Sequence, residues 1–232
     1  MSKLAGIVLC TLFLCVSAAV YAEEPANYTY SPKPPGTVLQ SRIVYLAGEA
    51  MHSQWRAVVS RKEVGRNGSN VFYQYYFSLY RIDGNVYRLR YGSPKRPPLD
   101  AVVKAQGAPM WFPFQEAQIV GVGEFMGPGA QQVVVASHQT GADCGSARVD
   151  VFFYDSAMQM AMPTLSVENY CSLSAKIIHD AQGDALQLTG PYYAPNAATC
   201  CPTMNGATAT LRFRNGTWAE QPKKYFEIMK SP

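Results

Sequence analysis

The stretch TATLRFRNGTWAEQP, residues 208–222, carries the clearest fold signal in the chain. Successive side chains of an extended chain point to opposite sides. Ala209, Leu211 and Phe213 therefore share one face, and Thr210, Arg212 and Arg214 the other. Asn215-Gly216 follows, two residues that tolerate the positive φ a tight hairpin turn demands. The stretch reads as two antiparallel strands with one apolar face.

The same grammar recurs along the chain. VFYQYYFSLYRIDGNVYRLRYGSP, residues 71–94, places aromatic and β-branched residues on both sides of a turn at Asp83-Gly84-Asn85. Its second arm sets Tyr87, Leu89 and Tyr91 against Val86, Arg88 and Arg90. AQIVGVGEF, a turn at MGPGA, and QQVVVASH make strand, turn and strand over 117–138. SARVDVFFYD, residues 146–155, sets Val149, Val151 and Phe153 against Arg148 and Asp150. AKIIHDAQGDALQLTG, residues 175–190, is a further hairpin turning near QGD. Many short strands with frequent turns predict an all-β, mainly antiparallel fold with little helix, arranged as a sandwich, a barrel-like sheet or partial propeller-like sheets. No repeat of fixed period appears, which argues against a full propeller. Residues 38–64 fit helix and strand alike, and a short helix near 39–51 is the one helical expectation.

The amino end predicts export. Residues 1–6 carry one lysine, residues 7–20 form an uncharged, mainly apolar run of fourteen, and Val20 and Ala22 precede Glu23. A short basic end, a short apolar centre and small residues at the exit define a secretory signal peptide, with cleavage expected after Ala22. A permanent span needs about 20 apolar residues, so this run is too short, and no second such run follows. Cys10 and Cys15 each follow a leucine, so a lipid anchor is not expected. The protein is expected to be secreted or periplasmic. Residues 23–37, rich in proline, form an extended leader that lies over the domain or stays mobile. Residues 38–232 form a single all-β domain, or two sub-structures meeting near the proline-rich 92–114. A net charge of +4 is too mild to point to nucleic acid.

The mature chain holds four cysteines, Cys144, Cys171, Cys200 and Cys201. An even number in an exported chain favours disulfides. Adjacent cysteines rarely join each other, so Cys200 and Cys201 are each expected to pair with one of Cys144 and Cys171. A zinc site is the alternative, but the chain has no C-x-x-C and an oxidising compartment disfavours free thiolates. The turn at 122–137 has the outline of a calcium loop, yet Glu124 is its only acid where calcium needs six to eight oxygens. No cofactor motif is present.

His138, with Ser137 before it and Asp143 nearby, invites a hydrolase reading. Neighbouring strand residues face opposite ways, which places Ser137 and His138 badly for a dyad. The tyrosine-rich FYQYYFSLY and GPYYAP fit a stacking surface for sugar rings or a protein, or half-buried sheet positions.

The order GVGEFMGPGAQQVVVAS, a lone cysteine in GADCGSARVDVFFYD, GPYYAPNAATCCPT and then ATLRFRNGTW resembles the secreted and lipoprotein domains of the LppP/LprE type over roughly residues 115–220. That resemblance implies an envelope-associated protein whose activity is not defined by its family. The residues favour an exported, non-enzymatic binding or structural module acting on an envelope component, a protein or a glycan. The alternative is a hydrolase with a loop site around His138, Asp143 and Glu124.

Overall fold

The computed structural model describes residues 29–48, 54–92, 116–139, 145–156, 160–194, 202–221, 224–226 and 228–229. Alternating apolar residues and two-residue turns fold these segments into three open sheets, with no helix among the described residues. The first contains β1 (Thr29–Ser31), β2 (Thr37–Val44), β3 (Trp55–Asn67), β4 (Asn70–Asp83) and β5 (Val86–Gly92), in the order β1-β5-β4-β3-β2. A second meander follows: β6 (Glu116–Gly123), β7 (Gln132–Gln139), β8 (Ser146–Asp155) and β9 (Met160–Tyr170). The third sheet is the meander β10 (Ser174–Asp180), β11 (Gly183–Tyr192), β12 (Met204–Arg214) and β13 (Thr217–Gln221). The chain then returns as β14 (Ile228–Met229), which adds to β9 at the edge of the second sheet. Among the described residues all pairings are antiparallel except that of β1 with β5 and an isolated bridge between Leu46 and Gln131.

The second sheet lies between the other two, because its strands are apolar on both faces. Val134, Ala136, Val149 and Val151 pack with Leu186, Leu188, Ala209 and Leu211 of the third sheet. Val133, Val135, Phe152 and Tyr154 pack the opposite way, against Trp55, Ala57, Phe77 and Leu79 of the first. The Val133-Val134-Val135 run is what a strand buried on both sides requires, since neither face meets water. The apolar positions expected of the 208–222 hairpin stand as read: Ala209 and Leu211 are buried and Phe213 packs against them. Its turn has Asn215 at φ 52° and Gly216 at φ 80°. Trp218 lies 5.2 Å from Phe125, and its indole N–H donates to Thr164 of β9 at 3.3 Å, tying the third sheet to the second.

Two expectations are corrected. The helix near 39–51 is replaced by β2 over Thr37–Val44, where pairing with β3 overrides an ambiguous local pattern; residues 49–51 lie outside the described set. Tyr91 does not share a face with Tyr87 and Leu89. The register between β4 and β5 shifts by one residue: Leu79 pairs with Tyr91 while Tyr80 pairs with Leu89. Arg90 is therefore an extra residue on β5, and the phase of the strand flips after it. Tyr91 consequently meets Phe77 at 6.0 Å and Phe152 at 4.7 Å, in the layer between the first and second sheets.

The hairpin of β10 and β11 turns at Ala181-Gln182, at the start of the expected QGD, with Gly183 at φ 94°. Part of the leader is held down: Tyr30 of β1 stacks on Tyr87 at 5.0 Å and meets Tyr80 edge-on at 4.9 Å.

Arg148 and Asp150 share the face of β8 opposite Val149 and Val151, and that face looks toward the first sheet rather than into water. Asp150 is accordingly only 7% exposed. The Arg148 guanidinium donates to both Asp150 carboxylate oxygens, at 2.9 and 3.0 Å, and to the Ser166 hydroxyl at 3.1 Å. Ser166 in turn donates to Asp150. Burial pushes the Asp150 carboxyl above its ordinary range, and Arg148 and Ser166 offset only part of that push.

Candidate functional site

The residues of the hydrolase alternative do not assemble around one point. His138 lies near the end of β7, and its Nε2–H donates to the Cys171 carbonyl at 3.0 Å. Ser137 is buried on the opposite face of the strand, with Val135. Glu124 sits in the turn before β7, where its carboxylate accepts from the Gly129 amide at 3.0 Å and its own amide donates to Asp184 at 2.7 Å. The Phe125 amide donates to the Gln132 side chain at 2.9 Å, which fixes that turn at the start of β7. At ~3.3 Å per strand residue, the start of β7 and His138 are about 20 Å apart. Asp143 lies outside the described residues, as do Cys144, Cys200 and Cys201. Among the described residues, no three His, Cys, Asp or Glu side chains stand together to hold a metal ion.

The residues that do converge are aromatic. A cavity of about 260 Å³ is lined by Ser146, Glu168, Asn169, Tyr170, Tyr193, Tyr225 and Phe226. Three parts of the chain build it: the paired ends of β8 and β9, the exit of β11, and the segment leading into β14. Tyr170 and Tyr193 meet at 87° with ring centroids 6.1 Å apart. Tyr225 is braced edge-on by Tyr192 at 5.2 Å.

Each wall has a local cause. Asn169 donates to the Ser172 and Pro191 carbonyls at 3.1 and 2.8 Å, joining the end of β9 to the end of β11. Gly190 permits that approach, since a Cβ there would stand 2.7 Å from the Ser172 carbonyl oxygen. The Glu220 carboxylate accepts from the backbone amides of Tyr225 and Phe226, which sets the third wall. Phe226 is buried and anchors that segment in the core. Cys171 follows Tyr170 directly, adopts φ 67°, and donates its amide to the Gly145 carbonyl at 3.0 Å. Cys171 is disulfide-bonded.

Among the described residues, its lining combines three tyrosines and a phenylalanine with one carboxylate and small polar groups. It has the makings of a binding site. Comparison with family models, characterised proteins and solved structures gave no match to this chain. Of the lining residues, only Tyr193 belongs to a stretch that the sequence marks as a stacking candidate. Tyr170, Glu168 and Tyr225 carry no local signal, because strand pairing between distant segments is what brings them together.

Proposed function

We propose that this is an exported cell-envelope or periplasmic protein, a non-enzymatic module that binds an envelope component, protein or glycan, through the aromatic cavity. The observation that carries the reading is the convergence of Tyr170, Tyr193 and Tyr225 with Glu168 around one cavity. Tyrosine suits recognition because it presents a large apolar face and a polar tip. The resemblance of the C-terminal half to envelope-associated domains points the same way, as does the signal-like amino end.

Two disulfides are part of this proposal, with Cys200 and Cys201 each joined to one of Cys144 and Cys171. The surroundings of Cys171 support it: its amide bonds to Gly145, and the Tyr193 hydroxyl lies 3.7 Å from its sulfur. Ala194 N–H donates to Thr203 at 3.0 Å, so the two ends of the segment holding Cys200 and Cys201 are close. The hydrolase alternative gains no support from the separation of Glu124 and His138.

The test is retention on washed envelope fractions of the cells that make the protein. The native chain is expected to be retained and Tyr170→Leu or Tyr193→Leu to be released, with far-ultraviolet circular dichroism unchanged. Equal retention of native and variant chains would remove the cavity from the function. Non-reducing peptide mapping of the same material reads the cleavage site and the cysteine pairing.

A further inference from the structure

We infer that the far end of the β3–β4 hairpin docks on a bilayer of anionic lipid, a contact separate from the aromatic cavity. The hairpin outruns its own sheet. Pairing of β2 with β3 ends at Thr37 and Arg61, and the described pairing of β5 with β4 ends at Gly92 and Ser78. The two central strands stay paired as far as Asn67 and Asn70. At ~3.3 Å per residue, the stretch from Arg61 to Asn67 carries the turn about 20 Å past the β2 pairing. A two-stranded ribbon alone is marginal in water. This one is braced along its length: the Arg61 guanidinium lies 4.3 Å over the Tyr73 ring, and Arg66 donates to Glu63 at 3.0 Å.

The ribbon presents apolar groups where it reaches furthest. Its register shifts between Glu63 and Gly65, so Val64 and Gly65 together oppose Phe72. Val64 and Phe72 are thus neighbours. At 54% and 52% exposed, they are the most open large apolar side chains among the described residues. Lys62 precedes this pair along the ribbon and Arg66 follows it, and both are exposed. Residues 61–76 hold three cations, Arg61, Lys62 and Arg66, against one acid, Glu63, a net charge of +2. Tyr73, Tyr75 and Tyr76 are half-buried on the return strand, the residue type that settles where headgroups meet hydrocarbon. A protein groove would accept the apolar pair equally well. The excess of cations around it is what favours a surface of lipid phosphates.

Flotation of the exported, oxidised protein with lipid vesicles tests the inference. The native chain is expected to float with vesicles of equal parts phosphatidylglycerol and phosphatidylcholine, and not with phosphatidylcholine alone. Phe72→Ser should weaken partitioning at least about tenfold, the loss of one aromatic ring from an apolar contact, with thermal unfolding unchanged. Lys62→Gln should weaken it about fivefold, the share of one cation near an anionic surface. Brominated acyl chains should quench the fluorescence of Phe72→Trp more strongly than that of the native chain. Equal flotation with both lipid compositions would overturn the inference, as would flotation with neither. Equal flotation of the native chain and Phe72→Ser would overturn it too, and would trace the lipid contact elsewhere, such as to the apolar run at the amino end. If Phe72→Ser is released from envelope fractions while the native chain binds no vesicle, the ribbon holds a protein and the lipid assignment fails. Tyr193→Leu should float like the native chain, so this contact and the cavity reading stand or fall separately.

Discussion

The two layers on either side of the second sheet are built from the same strands and differ in kind. Toward the third sheet, β7 and β8 present Val134, Ala136, Val149 and Val151 to leucines and alanines. Toward the first sheet they present Val135, Phe152 and Tyr154 to Trp55 and Phe77, and that face also carries Asp150 with Arg148 and Ser166. Where β7 and β8 meet it, the first layer is mainly aliphatic, with Phe125 and Phe226 elsewhere in it; the second is aromatic around Phe152 and Tyr154 and includes a buried charge. When sheets stack on both sides of a strand, its two faces are specified independently, residue by residue.

Substitutions in the two layers should separate them, with effects that descend in size. Phe152→Ala should cost about 4 kcal/mol, read from denaturant unfolding, because it empties the centre of an aromatic cluster. Leu211→Ala in the aliphatic layer should cost about 3 kcal/mol by the same measurement, since a smaller side chain is removed. Arg148→Met should cost about 2 kcal/mol at neutral pH, less than the roughly 3–5 of a fully buried pair because the Arg148 side chain is 35% exposed. That cost should shrink as the pH falls and Asp150 takes up a proton.

Asp150→Asn tests the smallest effect. A carboxyl whose folded pKa is raised binds its proton more tightly in the native state. Its contribution is present below the unfolded pKa and is lost as pH rises through the folded value. The native protein should therefore lose some stability across that window, and Asp150→Asn should flatten the profile. An unchanged slope would place the pH dependence elsewhere.

The turns at Asn215-Gly216 and Gly84-Asn85 are legible in the sequence because their chemistry is local. The face of Tyr91 is not, since one bulged residue inverts every side chain after it. The burial of Asp150 is hidden for a different reason: an alternating strand reads the same whether its polar face meets water or another sheet. The valine run 133–135 is the available sign of double burial. The cavity is least legible, because Tyr170, Tyr193 and Tyr225 meet only through long-range pairing.

The short segment around Ala47, next to the Leu46–Gln131 bridge, has a mechanical consequence. Its amide donates to the Gln131 carbonyl at 2.6 Å, and its carbonyl accepts from Tyr154 N–H at 2.9 Å. Side-chain packing alone lets one sheet slip over another with little directional resistance. Here slippage between the first and second sheets would have to tear backbone hydrogen bonds that run from one to the other. The segment works as a shear pin.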